Sequence, residues 1–320
     1  MSVVVRVLCV GHVNWDVTLR VEALPSPDGE ARVHERRESC GGSAANCASV
    51  LATLDVETGV FGSVGADPQG RQSRRELVDA GVAVAGLVEA DVGTARKYLA
   101  VDPDGRVMVF GDDRGNEAFT LADLPDGVLS AVEHVHVTGQ RPDRAREVVR
   151  LAREHGASTS VDPGRRAGER AFEPVLAAAD YLFLTADEAR QVGIDPEDPT
   201  DRGDWTDESA RRERVVLMKD GPDGARLRSP AGAVAHGGFD VDPRDTTGAG
   251  DAFAAGFLAA ALTDWRPVPE GGLVPDGAVV ERYRRALVVA DACGAVTARR
   301  AGARVHLSRS EVEGFLGERA

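Results

Sequence analysis

The chain has 320 residues, 42% of them apolar and 28% charged, and acidic residues exceed basic ones by 52 to 38 for a formal charge of −14. That balance excludes wholesale disorder, and no apolar run approaches the roughly 18 residues that a membrane-spanning helix needs. An acidic chain with no basic stripe is also poorly suited to displacing counterions from nucleic acid.

In chain order, Val3–Val10 is a nearly continuous apolar run closed by Gly11, the pattern of a strand buried on both faces of a parallel sheet. The N-terminus turns polar too soon for a signal peptide, so it reads as the first strand of a cytoplasmic protein. Val17–Ser39 alternates apolar and polar residues, as a strand with one exposed face does. Ser43–Leu54 is rich in small residues and reads as a helix. Val60–Val64 is a second buried strand, and Gln69–Ala80 a helix stopped by Gly81. Thr94–Phe110 alternates again and holds a Pro-Asp-Gly turn between β-rich arms, a hairpin signal. Short apolar runs then recur at Val135–Thr138, Ser158–Val161, Tyr181–Leu184 and Val215–Met218, separated by helical stretches such as Asp143–His155. Pro196–Pro199 and Pro267–Pro275 read as surface loops.

Repeated βα units predict one α/β domain over 1–320, a doubly wound, mostly parallel sheet flanked by helices. The alternating segments, about 17–39 and 94–112, predict a small antiparallel β lid beside it. Such a flap buries little by itself, so it needs a substrate or a second copy to cover, which predicts a homodimer through the lid.

Only two of the 38 basic residues are lysines, Lys97 and Lys219. A lysine-poor acidic surface suits a high-salt interior, where screening weakens self-repulsion; codon usage in a GC-rich genome produces the same bias. Cys9, Cys40, Cys47 and Cys293 form no C-x-x-C pair and carry no histidine at metal-ligand spacing, so they read as buried thiols in a reducing compartment. His134 and His136 alternate along a strand-like run and read as structural.

The segment with most chemical content is Asp245-Thr246-Thr247-Gly248-Ala249-Gly250-Asp251, followed by the apolar helix Ala252–Leu258. The amides of Gly248, Ala249, Gly250 and Asp251 would be free donors at a helix N-terminus, and two glycines remove the Cβ atoms that would block an anion. A carboxylate beside a phosphate hole is out of place if anion binding is the whole task. It fits if Asp251 takes a proton from an attacking hydroxyl while the amides hold the phosphoryl group. Otherwise Asp251 only complements the helix dipole. Near the start, Asn14 and Asp16 leave the first strand at its C-terminal end, the ligand-binding edge of open α/β sheets, and both can bond sugar hydroxyls. The chain has no G-x-x-x-x-G-K-[ST] phosphate loop.

The stretch Asp245–Asp251 resembles the C-terminal signature of the ribokinase-like (PfkB) carbohydrate kinases. Gly41-Gly42-Ser43-Ala44-Ala45-Asn46 is similar to the N-terminal signature of that family, and Gly65-Ala66-Asp67-Pro68-Gln69-Gly70 to its following turn. Asp162-Pro163-Gly164-Arg165-Arg166 and Lys219-Asp220-Gly221-Pro222-Asp223-Gly224 resemble two further stretches, the second on the nucleotide side. Together they span nearly the whole chain in order. The resemblance implies ATP-dependent phosphorylation of a sugar or nucleoside hydroxyl, with Asp251 as base and the 248–251 amides as anion hole. It implies Asn14, Asp16, Gly41, Gly42, Asn46 and Arg166 around the acceptor. It implies Lys219, Gly221, Gly224, Thr246, Gly248 and Gly250 around the nucleotide, with Ala292–Thr297 bordering the adenine. Lys219 reads otherwise as a solvated loop residue.

The resemblance also implies Mg2+ on the phosphates, organised through water by Glu188. Thr185 stands where the family has asparagine, and Glu188 reads alternatively as a helix cap. A monovalent cation such as K+ is implied between Asp245, Thr247 and the loop near Gly302. A phosphorylated acceptor calls for cations at the far end, for which Arg96, Lys97 and Arg166 are candidates. A nucleoside calls for stacking, for which Trp15, Tyr98 and Phe110 are candidates. A plain sugar such as ribose or fructose needs neither and is the favoured expectation, with nucleoside and sugar-phosphate kinases as alternatives. A catalytically silent sugar- or nucleotide-binding regulator is the non-enzymatic one.

Overall fold

A computed structural model describes residues 5–113, 115–198, 214–263, 265–267, 279–300 and 306–319. Strand β1 (Val7–Val10) is followed by β2 (Asn14–Val21), β3 (Val33–Gly41), helix α1 (Ser43–Thr53), β4 (Thr58–Gly65), α2 (Pro68–Asp79) and β5 (Ala83–Ala90). Next come β6 (Arg96–Val101), β7 (Val107–Asp112), the short α3 (Val128–Ala131), β8 (His134–Thr138), α4 (Pro142–Glu154), β9 (Ser158–Asp162), α5 (Glu173–Ala178), β10 (Tyr181–Thr185) and α6 (Ala186–Gln191). The chain closes with β11 (Val215–Lys219), β12 (Ala225–Ser229), β13 (Gly232–His236), α7 (Ala249–Leu262), α8 (Val279–Ala298) and α9 (Arg309–Gly317).

Among the described residues, nine strands form one sheet in the order β13-β12-β11-β10-β9-β8-β1-β4-β5. Pairing is parallel from β11 to β5, and β12 and β13 add antiparallel to one edge. The apolar run of β1 has the expected cause. Val7 and Cys9 enter one core layer with Phe183, Leu217 and Phe257, while Leu8 and Val10 enter the other with Phe61, Val137 and Phe172. Helix α7 is apolar on every side because it is sunk between the sheet and α8, where Gly256 lies against Cys293. All four thiols are free and buried. His134 donates or accepts at both ring nitrogens with Ser158 and Ser160 (2.7 and 2.8 Å), and His136 meets Ser160 at 2.7 Å. Burial pushes His134 down to about 3, so it is a neutral member of the sheet interior.

The alternating segments form a second, four-stranded sheet in the order β3-β2-β6-β7. It consists of two antiparallel hairpins joined by a parallel β2–β6 pairing. The β6–β7 turn is closed by Gly105 N donating to Asp102 O (3.1 Å) and Arg106 N donating to Asp102 Oδ1 (2.9 Å). Strand β5 and the β12–β13 hairpin were not legible beforehand. Ala83–Ala90 is alanine-rich, and only its pairing with β4 makes it a strand. Pro196–Asp198 has no regular structure, as a loop should, while Pro199 and residues 268–275 of the second proline-rich stretch lie outside the described residues.

Candidate active site

The sheet's strand order reverses at β1, so the chain leaves β1 and β8 in opposite directions and opens a crevice at their C-terminal ends. Into it come β2, the N-termini of α1 and α7, and the loops after β9 and β11. Gly248 caps α7 in a left-handed conformation (φ 78°), which a side chain would strain, and Asp251 sits in the first helical turn. The turn is open to solvent. A Cβ on Gly250 would meet nothing nearer than Lys219 Nζ at 3.9 Å. The Ala249 amide, expected in the anion hole, instead donates to Thr246 O at 3.2 Å and closes the turn. No acceptor for the Gly248, Gly250 and Asp251 amides is found among the described residues, so three amides of this turn are open to a ligand rather than the four expected.

Asp251 accepts a hydrogen bond from Asn46 Nδ2 at 2.8 Å. Burial pushes its carboxyl up to about 6, against the opposing pull of Asn46, Lys219 and Ser43. Asp16 and Asn14 alternate along β2 and so share a face, and Asn14 Nδ2 donates to Asp16 Oδ1. Burial, and then the charge of Asp251, push Asp16 up to about 7. The charge of Asp251 therefore reaches Asp16. Gly41 and Gly42 are required by close approach: a Cβ on the first would collide with the Asp16 carboxylate, and on the second with His12 O. Two amide side chains at this edge are incompletely bonded. Asn46 Oδ1 is buried without a partner, and so are both Nε2 and Oε1 of Gln140, just past β8. Sequence reading missed Gln140, because a lone glutamine after a strand carries no motif; its unsatisfied burial is visible only in three dimensions.

Lys219 is no solvated loop residue. It ends β11, is mostly buried, and donates to Asp162 Oδ2 at 2.6 Å, with Glu188 Oε2 at 3.8 Å. Burial opposes its charge, but Asp162, Glu188 and Asp251 outweigh that and hold the ammonium above the ordinary lysine range. Glu188 and Thr185 form a reciprocal cap on α6: Thr185 N donates to Glu188 Oε2 (2.8 Å) and Glu188 N to Thr185 Oγ1 (3.2 Å). The threonine hydroxyl is thereby engaged by backbone. A cleft of about 420 Å³ lies beside Lys219, lined by Thr185, Ala186, Asp187, Asp220 and Asp223 as well. Gly221 and Gly224 form the turn on its rim, where Asp220 N donates to Gly224 O at 2.9 Å. Thr246 is exposed at the mouth of the α7 turn. Of the stretch expected at the adenine, Cys293 is in the core and only Gly294 and Ala295 are partly exposed.

The three candidate cations separate. Arg96 Nη2 donates to Gln69 Oε1 on α2 at 3.2 Å, tying the small sheet to the large one. Lys97 is the register neighbour of Asp16 and shares its face. Its ammonium donates to Asp113, whose other oxygen lies 3.2 Å from Arg166 Nη2. The candidate stacking aromatics do not converge on the crevice. Trp15 is buried and donates to Glu38 at 2.7 Å, and Tyr98 and Phe110 pair across strands on the face opposite Lys97. Asp245 is buried, and its Oδ1 accepts the Thr247 amide at 3.0 Å. Gly302, the other side of the expected cation site, lies outside the described residues.

Residues 5–309 match the model of the pfkB family carbohydrate kinases. The chain is 47% identical to an ATP-dependent ribose-1-phosphate kinase of Halopiger xanaduensis over 324 residues, covering 98% of this chain and 99% of that one. It is 26% identical to a nucleoside kinase of Methanothermobacter thermautotrophicus, covering 80% and 82%. Among solved structures, the ribokinase of Giardia lamblia superposes with a TM-score of 0.82 over 97% of this chain and 99% of that one, at 19% identity. The two-sheet architecture is therefore the ribokinase-like fold.

Proposed function

The chain belongs to the pfkB family of carbohydrate kinases, and on that premise we propose that its acceptor is a pentose already carrying a phosphate. The enzyme is an ATP-dependent phosphotransferase with an alcohol group as acceptor. The observation that carries the acceptor reading is the placement of Lys97 beside Asp16 on one face of β2 and β6, with Arg166 facing it across Asp113. An acceptor with hydroxyls on Asp16 and Asn14 can reach toward Asp251 at one end and present an anion to these cations at the other. A plain sugar brings no anion of its own to these cations. The name borne by the Halopiger relative agrees with this reading.

Asp251 is the base. With its carboxyl near 6 it is largely ionised at neutral pH, yet basic enough to receive the hydroxyl proton as the O–P bond forms. Its bond from Asn46 fixes which carboxylate oxygen faces the acceptor. The Gly248, Gly250 and Asp251 amides and the α7 dipole stabilise charge on the transferring phosphoryl group. Lys219 faces the same opening and adds a full positive charge. The carboxylates here do not form a closed cage. Among the described residues no three of His, Cys, Asp and Glu cluster as a metal site. Glu188 would hold Mg2+ through water, and the ion would neutralise phosphate charge there. Asp245 and Thr247 would border a K+ site.

The smaller sheet acts as a lid that excludes water, the competing acceptor. Its edge strand β7 exposes Val107, Val109 and Phe110, and a second copy of the chain covers them in a homodimer. The four reduced, buried thiols suit a cytoplasmic enzyme. The test is ADP formation from ATP and Mg2+ with ribose 1-phosphate, ribose, fructose and a nucleoside as separate acceptors. Turnover with ribose 1-phosphate and its loss in Arg166→Ala are expected. Turnover with ribose and none with ribose 1-phosphate would overturn the acceptor reading; none with any acceptor would favour a binding protein.

A further inference from the structure

We propose that Asp113 is a resident counter-anion occupying the seat of the acceptor's phosphate, and that the incoming phosphate displaces it. The inference rests on the reading that the acceptor is phosphorylated. Asp113 lies just past β7, on the small sheet, yet its two oxygens are held by cations from different sheets. Lys97 of β6 binds Oδ1, and Arg166, in the loop after β9 of the large sheet, binds Oδ2 at 3.2 Å. Asn116 Nδ2 adds a bond to Oδ1 at 3.1 Å. Two oxygens of one anion bridged by an ammonium and a guanidinium is the arrangement by which phosphate monoesters are held.

The cluster is reachable, with Lys97 27%, Asp113 30% and Arg166 45% exposed. Gly111, opposite Lys97 on β7, leaves the space that the ammonium fills on its way to Asp113. Burial alone would raise the Asp113 carboxyl, but Lys97, Arg166 and His12 outweigh it and hold it below the usual carboxylate range. Asp113 is therefore a full anion at neutral pH. A neighbouring carboxylate, Glu117, engages Arg170 at 2.5 Å and lies 3.4 Å from His12 Nε2, so Arg170 is not open to Asp113 as a substitute once it is displaced.

The consequences for specificity follow from charge. With Asp113 in place, Lys97 and Arg166 share its charge, and Glu169 Oε2 lies 3.9 Å from the other side of the Arg166 guanidinium, so the pair is a weak attractor for a neutral sugar. A phosphate dianion brings twice the charge of the carboxylate and takes both cations. Its binding is weakened by the bonds Asp113 gives up. In exchange, the acceptor-free site does not leave two partly buried cations uncompensated.

The test is Asp113→Asn, which keeps the shape and removes the charge. KM for ribose 1-phosphate is expected to fall about tenfold. Inorganic phosphate is an independent probe. Its inhibition should be competitive with the acceptor and not with ATP, with Ki falling in the variant. In a Lys97→Met background the same change should have a smaller effect, because only Arg166 is left for Asp113 to release. Unchanged or higher KM and Ki in Asp113→Asn would make Asp113 a structural tie that positions the cations, and would overturn the proposal. Wild-type turnover of ribose but not ribose 1-phosphate refutes the acceptor reading instead. The phosphate Ki would still report whether Asp113 is the displaced anion.

Discussion

Replacing Asp251 by asparagine should disable the enzyme and stabilise the fold at once. The folded protein holds this carboxyl at about 6 against an ordinary value of 3.8, chiefly through burial. Folding therefore binds a proton more tightly than the unfolded chain does. Between those two values the folded state carries more protons, so stability falls as pH rises and reaches its lower plateau above about 6. A shift of roughly two pH units corresponds to about 3 kcal/mol, an upper bound because Asp16 titrates in the same volume. Asparagine carries no such penalty and can still accept the Asn46 hydrogen bond through its Oδ1. Chemical denaturation of wild type and Asp251→Asn at pH 4, 6 and 7.5 measures the difference. The variant should gain up to about 3 kcal/mol at pH 7.5 and almost nothing near pH 4. Turnover should drop by about 10²–10⁴, the range for loss of a general base. Removing the charge also relieves Asp16, so the pH at which the variant loses acceptor affinity should move down from about 7. Equal stability of the two proteins at pH 7.5 would refute the claim that this carboxylate is held ionised at a cost. Near-normal turnover would refute its role as base.

Two further changes probe the surrounding contacts. Gly41→Ala places a methyl group where the Asp16 carboxylate lies, so acceptor KM should rise at least tenfold while KM for ATP stays near wild type; steady-state kinetics with each substrate varied would show equal effects if Asp16 were no acceptor contact. Lys219→Met strands the buried Asp162 and Glu188 carboxylates, and a stability loss of about 3–5 kcal/mol with a fall in kcat is expected; a loss confined to stability would remove Lys219 from the phosphoryl site.

Much of the site was legible because its chemistry is local. Gly248 to Asp251 combine glycines, amides and an acid at one helix start, and Gly41–Asn46 combine glycines with an amide side chain at another, so residue order marks both turns, although only the folded turn shows that the Ala249 amide is taken by Thr246 O. The alternation of strands with helices predicted the parallel sheet for a similar reason: burial on both faces leaves an unmistakable apolar run. What remained hidden depended on partners distant in sequence. Lys219 could be a solvated residue or a phosphate contact until the fold set it beside Asp162, 57 positions away, and Glu188. Arg96 and Lys97 are adjacent in the chain, yet strand alternation sends one to α2 and the other to the crevice. Gln140 and Asp113 carry no signature at all. An unpartnered buried amide and a carboxylate held between cations of separate loops exist only once the chain is packed.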